Sequence, residues 1–349
     1  MGGRGAGGRD DEAARIFDVR LLAKTGVTEF IAFSGASGNL TRQSGIEAGR
    51  VIAFLAIVFL HSYPNIDPSP ATLLLWDQLP RFAVPFFFIT SGYFLWPRVN
   101  SLARVCRIVL RILIIFLFWV IAYNLTSPEN LVPRGWWNTF LGGGVGFQLW
   151  FLSALAIAVL LSWALVRIFG LSIAVLCGAA LFVIGTLIGP YHIPLGFPTF
   201  GFIVRSGPFF GFPFVALGML FARCNVQVRP ILGLSIFIFG AAAQVIECYE
   251  VRGIDLGQSG DFFFSTAIYG AGAFLFFSSL EGKAATSIGR FGKYVLGAYV
   301  IHVAIILWLV KSGYYGVIGW LAFVALTFIY SMTFSVVASK VPIIKRLVQ

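Results

Sequence analysis

The chain has 349 residues, of which 58% are hydrophobic and 11% are charged, and glycine supplies a further 39 residues. Soluble domains average about 25% charged residues, and a soluble globule of this size has too little interior for so much apolar surface. The net charge of +11 would favour a nucleic-acid partner in a soluble protein. Basic residues at helix ends are instead expected from orientation in a bilayer, so we predict a polytopic membrane protein and no nucleic-acid partner.

The chain divides by composition into three parts. Residues 1–46 begin with a polar, Gly-rich stretch and predict a mostly disordered cytoplasmic tail. Residues 47–338 form the membrane domain, and residues 339–349 form a short basic tail. At about 20 residues per span, the apolar runs predict ten transmembrane helices, near 48–66, 82–97, 107–125, 148–166, 171–189, 207–222, 230–248, 262–280, 294–312 and 316–338.

The distribution of basic residues orients these helices. If the N-terminus lies inside, 20 of the 25 Lys and Arg residues fall in inner segments and 5 in outer ones. Cytoplasmic segments of membrane proteins carry this excess. The predicted fold is therefore an all-α, polytopic bundle of about ten transmembrane helices with both termini cytoplasmic.

The first predicted helix carries two ionisable residues on one face. Arg50 and His61 are 11 residues apart, which is about 16 Å along the axis and about 20° in direction after three turns. Arg50 falls at the inner edge and His61 beyond the middle. An ionisable group at membrane depth is a functional candidate, and imidazole suits proton transfer near neutral pH. The alternative is an anchoring Arg with an interfacial His.

The second predicted helix contains Ser91 and Gly92 in its inner half. Gly92 would let another helix or a ligand approach closely, and the Ser91 hydroxyl can bond back to its own helix. Taken alone, these features are also typical of ordinary helix packing.

Together these motifs resemble acyltransferase family 3, whose members are integral-membrane O-acyltransferases that modify surface glycans and other envelope molecules. The family's Arg/Lys-x10-His signature corresponds to Arg50 and His61. Arg-Phe-x-Val-Pro at 81–85, at the start of the second predicted helix, is similar to the branch that O-acylates surface polysaccharides. Segments at 148–155, 207–220 and 296–306 also agree. The family's Phe-Phe-x-x-Ser-Gly and Arg-x-x-Arg segments correspond to Phe87, Phe88, Ser91, Gly92, Arg104 and Arg107.

The resemblance implies transfer of an acyl group, most simply acetyl, from acetyl-CoA to a hydroxyl of a glycan or lipid-linked sugar. It implies a multi-pass protein of the bacterial inner membrane. No metal is expected, because no two His or carboxylate residues have the spacing of metal ligands. His61 is the candidate general base or transient acyl carrier. His302, in the ninth predicted helix, falls at a comparable depth and is the second catalytic candidate. The candidate donor-binding residues are Arg50, Arg98, Arg104, Arg107, Arg111, Ser91 and Gly92. The arginines would bind the phosphates of CoA at the inner face, or they only follow the excess of basic residues in cytoplasmic segments.

Few polar residues remain for the acceptor on the outer side. Arg205 enters the sixth predicted helix from outside, and Glu247 closes the seventh near the same face. An Arg–Glu pair would orient a sugar, or it would only anchor helices. Trp150 suits either interfacial anchoring or stacking on a sugar ring. A transporter or flippase for an amphipathic substrate is the alternative function.

Overall fold

The computed structural model describes residues 31–33, 44–62, 70–126, 136–198, 204–252 and 262–348. Two short strands and thirteen α-helices are assigned in these ranges, together with four 3-10 turns and one π turn. The strands are β1 (Ile31–Phe33) and β2 (Val226–Val228). The helices are α1 (Ser44–His61), α2 (Pro70–Gln78), α3 (Ala83–Leu95), α4 (Leu102–Thr126), α5 (Trp136–Gly142), α6 (Trp150–Ile188), α7 (Phe212–Arg223), α8 (Pro230–Arg252), α9 (Ser265–Ser278), α10 (Lys283–Gly289), α11 (Val295–Lys311), α12 (Trp320–Ala338) and α13 (Pro342–Val348).

Helical structure lies at each of the ten predicted positions. The fourth and fifth predicted helices are the two parts of α6, which is broken at Gly170, where φ is 82° and ψ is 167°. Glycine adopts this backbone conformation without the steric cost that other residues meet. The apolar runs therefore located the helices, and one glycine separates two of them.

The described ranges contain six helical stretches that are long and apolar enough to cross a membrane. They are Ser44–His61, Leu102–Thr126, Phe147–Ile188, Pro230–Val251, Lys283–Lys311 and Trp320–Ala338. By contrast, α3, α7 and α9 have 13, 12 and 14 residues, which is about 20 Å of helix against a hydrocarbon core of about 30 Å. The total of ten spans and the side on which the termini lie stay predictions.

The three short helices belong to the interior of the bundle. Most residues of α3 and α9 are buried, including Phe86, Phe88 and Phe274. The backbones of α3 and α7 touch at two glycines: a Cβ on Gly92 would lie 2.0 Å from the carbonyl oxygen of Val215, and one on Gly218 would lie 2.0 Å from that of Ile89. Small residues permit such close helix packing in membranes.

The structure differs from an all-α bundle in one detail. β1 pairs with β2 in an antiparallel ladder, with Ile31 opposite Val228 and Phe33 opposite Val226. β1 and the first turn of α1 both fall in the predicted disordered tail, residues 1–46, whose other residues lie outside the described ranges. The predicted basic tail, residues 339–349, contains α13, and Val348 at its end is fully buried.

Candidate active site

A pair of histidines from two distant helices forms the centre of the site. Nδ1 of His61, at the end of α1, lies 2.8 Å from Nε2 of His302 in α11. The rings are 8° from parallel and their centroids are 5.1 Å apart. The N···N distance and the radii of the two rings add up to this centroid separation. The imidazoles therefore lie edge to edge in one plane and share a hydrogen bond.

The backbone beside His302 determines which nitrogens carry protons. Nδ1 of His302 lies 2.5 Å from the carbonyl oxygen of Tyr299, and a carbonyl only accepts, so this nitrogen is the donor. When both rings are neutral, Nε2 of His302 is then an acceptor, and His61 donates to it from Nδ1. The lone pair of His61 is consequently on Nε2, the nitrogen directed away from His302. His61 is partly exposed, whereas His302 is fully buried.

A buried network holds α11 beside the histidine pair. The Tyr123 hydroxyl donates to the carbonyl of Val300 at 2.8 Å, and it accepts from Nε2 of Gln148 at 2.8 Å and from the backbone N–H of Ala304 at 3.2 Å. The phenol thus bridges the two ends of the helical turn that contains His302. Sequence reasoning missed Tyr123 and Gln148, since an isolated polar residue in an apolar helix carries no signal for its partner.

Aromatic side chains enclose the two imidazoles. Phe54 meets His302 edge-on with centroids 5.9 Å apart, and Phe147 meets His61 edge-on at 5.0 Å. Two arginines, Arg81 and Arg205, are close enough to His61 to act on it electrostatically. The pair therefore sits in an apolar shell with positive charge nearby.

A cavity of about 510 Å³ lies near this pair, although neither histidine is in its lining. It lies among α1, α3, α4, α6 and α11, and its two ends differ in character. Arg50, Arg98 and Arg111 line one part of it, which we call the basic end; Ile57, one turn before His61, and Tyr299 line it nearer the histidines. Since the carbonyl of Tyr299 holds His302, the cavity wall and the imidazole pair share a residue.

The predicted donor-binding residues separate into two groups. Four of them line the cavity: Arg50, Ser91, Arg98 and Arg111. Arg104 and Arg107 are exposed on α4 and do not line it. Gly92 also lies outside the lining, because its Cα faces the backbone of α7, so its position supports helix packing and gives no support to a binding role.

A buried carboxylate, which the sequence analysis did not single out, orients Arg50. Glu47 lies one turn earlier in α1, and both its carboxylate oxygens are 3.1 Å from Nη1 of Arg50. The Glu47 side chain is 6% exposed. A Cβ on Gly292 would lie 2.1 Å from Oε2 of Glu47, so this glycine leaves the space that the carboxylate fills. The signal was present, since acid and base three residues apart on a helix form a pair.

The predicted acceptor-binding residues lie in two different places. The guanidinium of Arg205 lies over the ring of Trp150, 5.3 Å from its centroid, and Trp150 follows Phe147, the residue in contact with His61, by three positions. Glu247 is elsewhere: it accepts the backbone N–H groups of Phe264 at 2.9 Å and Ser265 at 2.7 Å. Glu247 therefore satisfies donors at the start of α9, an anchoring role that a carboxylate suits.

A tyrosine completes the surroundings of Glu247. The Tyr191 hydroxyl donates to Oε1 of Glu247 at 2.7 Å. Burial, and then the hydrogen bond and the charge of Glu247, raise the pKa of Tyr191 well above its usual value. The hydroxyl therefore stays protonated and continues to donate at every physiological pH.

A chain of buried polar side chains anchors Arg81 near His61. Nη2 of Arg81 lies 2.6 Å from Oδ1 of Asp77, and the other oxygen of Asp77 accepts from Gln78 at 2.6 Å. Gln78 in turn accepts from Gln244 at 2.9 Å. The chain ends at the hydroxyl of Ser265, which donates to Gln244 at 2.9 Å. Tertiary contacts between α8, α9 and the turn before α3 thus fix this cation.

Within the described ranges, no group of three or more His, Cys, Asp or Glu side chains is placed to hold a metal ion. The prediction that the protein uses no metal stays a prediction, because part of the chain lies outside those ranges.

The fold and the site define a multi-pass helical membrane protein in which a hydrogen-bonded histidine pair lies beside a cavity with a basic end. This chain belongs to the acyltransferase 3 family: the family model, described as an acyltransferase domain, matches residues 43–340. The resemblance noted in the sequence is therefore confirmed, and membership supports a membrane acyltransferase.

Two curated relatives are also similar to parts of the chain, and both are amino-acid racemases of Enterococcus faecalis. One is 28% identical over 228 residues, which are 57% of this chain and 32% of the relative. The other is 28% identical over 158 residues, which are 43% of this chain and 22% of the relative. The chain matches a third or less of their length, so racemization is a property of those proteins. No solved structure matches the chain significantly.

Proposed function

We propose that the protein is an O-acyltransferase that moves an acyl group, most simply acetyl, from acetyl-CoA to a hydroxyl of a glycan or lipid-linked sugar. The observation that carries the proposal is the hydrogen-bonded pair of His61 and His302 beside a cavity with a basic end. Family membership supplies the class of reaction. The donor, the acceptor and the roles of the residues are our inference.

The donor's charge suits the basic end of the cavity. CoA carries several phosphate charges, and arginine guanidinium groups bind phosphate with directed, charge-assisted hydrogen bonds. Arg98 and Arg111 are exposed and would meet the phosphates, while Arg50, already paired with Glu47, would lie deeper. The acyl-pantetheine arm would then extend along the apolar walls toward Tyr299.

The imidazole pair supplies a base for the acceptor. The acceptor hydroxyl would give its proton to Nε2 of His61 while its oxygen attacks the thioester carbonyl. The C–S bond then breaks, and CoA leaves as a thiolate that takes up a proton. Alternatively, Nε2 of His61 would attack the thioester first and carry the acyl group to the acceptor. Either route leaves a positive charge on His61, which the hydrogen bond from Nδ1 to His302 stabilises.

Location follows from the donor and the charge distribution. Acetyl-CoA is cytoplasmic, so we place the basic end of the cavity at the cytoplasmic face of a bacterial inner membrane, with the bilayer as the medium. The acceptor would approach His61 from the side of Trp150 and Arg205, where an aromatic face and a cation suit a sugar or its polar substituents.

The proposal is tested by supplying acetyl-CoA labelled in its acetyl group to membrane vesicles with and without the chain. We expect label in a glycan or lipid fraction that mild alkali releases, together with an equal amount of free CoA. A transporter or flippase, the alternative function, predicts neither product. Equal label and CoA in both vesicle preparations would contradict the proposal.

The pair of Glu47 and Arg50 gives a second prediction, about donor binding. Glu47→Gln keeps the shape of the side chain but removes the charge that holds Arg50. We expect the KM for acetyl-CoA to rise about 3- to 10-fold, the equivalent of one ordinary hydrogen bond, because Arg50 keeps its charge and loses only its fixed position, with kcat within about twofold. Initial rates across an acetyl-CoA titration measure both constants.

Glu281→Gln is the matched control for this prediction, because Glu281 is exposed in the turn before α10 and does not line the cavity. It should leave the KM unchanged. An unchanged KM in Glu47→Gln as well would show that Arg50 needs no carboxylate to reach the donor.

A further inference from the structure

Most polar side chains around the cavity are already engaged. Besides its three arginines, the lining contains the hydroxyl groups of Thr90, Ser91 and Tyr299. The Ser91 hydroxyl donates to the carbonyl of Phe87 at 2.8 Å, and the Tyr299 hydroxyl donates to the carbonyl of Gln148. Both therefore use their single proton on the protein itself.

Thr90 differs from its two neighbours in the lining. Its side chain is buried, with the residue 4% exposed, and its Oγ1 has no hydrogen-bond partner among the described residues. A hydroxyl in a helix usually donates to the carbonyl four residues earlier, as Ser91 does. Leaving a buried hydroxyl without a partner lowers stability. Because Thr90 lines the cavity, a ligand bound there would supply the missing partner.

The position of Thr90 along α3 identifies the part of the ligand it meets. Arg98, at the basic end, follows Thr90 by eight residues, or about 12 Å of helix. A donor whose phosphates lie at the basic end would therefore extend its acyl-pantetheine arm past Thr90. That arm carries amide carbonyls and ends in the thioester carbonyl, and each of these oxygens needs a donor when it leaves water.

On the basis of the proposed function, we propose that the Thr90 hydroxyl donates a hydrogen bond to a carbonyl oxygen of the acyl-pantetheine arm. Thr90 is thereby a positioning residue for the donor substrate, and it sets the depth at which the thioester stops along the cavity. The surrounding wall is apolar, with Val84, Phe87 and Phe94 on the same helix, so this contact is strengthened by the exclusion of water.

The test compares two threonines that share burial and lack of a partner. Thr327 in α12 is fully buried, and its Oγ1 also has no hydrogen-bond partner in the described part of the chain, but it does not line the cavity. The full-length protein in detergent is titrated with acetyl-CoA and with CoA, and thermal unfolding is followed for each variant. The variants are Thr90→Val, Thr90→Ser and Thr327→Val.

We expect Thr90→Val to bind acetyl-CoA about 3- to 10-fold more weakly, the value of one hydrogen bond. Its Tm should equal or exceed that of the wild type, since the substitution removes a buried hydroxyl without a partner. Thr90→Ser keeps the donor and should bind within about twofold of the wild type, and Thr327→Val should bind unchanged. Loss for acetyl-CoA alone assigns the contact to the thioester carbonyl, and equal loss for CoA assigns it to an amide.

Two results would overturn the inference while leaving the proposed function intact. One is wild-type affinity in Thr90→Val; the other is a parallel loss of affinity and Tm in both Thr90→Val and Thr327→Val, which would show a structural role. A wild-type protein that binds neither acetyl-CoA nor CoA would instead overturn the proposed donor, and this inference with it.

Discussion

Replacing His61 with asparagine is expected to reduce acyl transfer by about 10²- to 10⁴-fold, the range that a positioned general base contributes. The amide nitrogen of asparagine takes the place of Nδ1, so it can still donate to Nε2 of His302. No basic nitrogen remains at the position of Nε2. The variant therefore keeps the hydrogen bond that connects α1 to α11 and removes only the lone pair directed at the substrate.

Transfer of labelled acetyl from acetyl-CoA in membrane vesicles measures this effect, and donor affinity and Tm should stay close to wild type. The chain has three histidines, which makes His192→Asn the matched control. His192 lies in the turn after α6, where its Nδ1 is 2.6 Å from the carbonyl oxygen of Gly189. We expect His192→Asn to lower acyl transfer by less than about twofold. A His61→Asn protein that is folded and retains a tenth of the activity would exclude His61 from the chemistry.

The same variant separates the two routes proposed for His61. If His61 carries the acyl group, wild-type protein mixed with acetyl-CoA without acceptor should gain the mass of one acetyl group, and His61→Asn should not. If His61 acts only as a base, neither protein gains this mass. Intact-protein mass spectrometry after rapid acid quenching distinguishes these outcomes, because an acyl-imidazole is lost on standing at neutral pH.

The histidine pair shows how far sequence periodicity reaches. The rise per helical residue placed His302 at a depth comparable to that of His61. In the structure, Nδ1 of His61 and Nε2 of His302 are 2.8 Å apart. The rise per residue is nearly constant in a helix, so depth follows from sequence alone. Which helices are neighbours does not, because lateral packing depends on contacts such as Gly92 against Val215.

The cavity shows where prediction from sequence stops. Charge distribution predicted a basic face, and Arg50, Arg98 and Arg111 do line the cavity, but Arg104, two turns before Arg111 on α4, does not. Whether a given arginine lines the cavity depends on which helices pack beside it. The sequence leaves this open until the neighbouring helices are known. The unpartnered hydroxyl of Thr90 is less predictable still, since one rotamer of a helical threonine donates to the carbonyl four residues earlier and another leaves the hydroxyl without that partner.

Glu247 has a different partner in the structure from the one that its sequence position suggested. Its place near the outer end of α8 suggested a partner for Arg205. Instead it accepts the backbone N–H groups of Phe264 and Ser265 at the start of α9, 17 and 18 residues later along the chain. The backbone N–H groups at the start of a helix lack helical partners and bond a carboxylate that the fold brings close to them. The sequence does not show which carboxylate that will be.

Replacing His302 with leucine is expected to lower kcat by about 10²- to 10³-fold, although His302 contacts neither the cavity nor, in our proposal, the substrate. Leucine removes the acceptor for Nδ1–H of His61. That imidazole is then free to adopt the other tautomer, in which Nε2 carries the proton and no longer accepts one. In a catalytic triad, where the group that fixes the histidine tautomer is a carboxylate, its loss lowers kcat by about 10⁴-fold, and we expect a smaller effect here because the group removed is a neutral imidazole.

His302→Gln tests the tautomer argument directly, because its amide oxygen can occupy the place of Nε2 and accept from His61. We expect this variant to lose only about tenfold in kcat, and both variants should keep the wild-type KM for acetyl-CoA, since His302 does not line the cavity. Steady-state rates over an acetyl-CoA titration give the two constants. Equal losses of kcat in the leucine and glutamine variants, accompanied by equal falls in Tm, would contradict this argument. His302 would then support the packing of α11 and would not determine which nitrogen of His61 carries the proton.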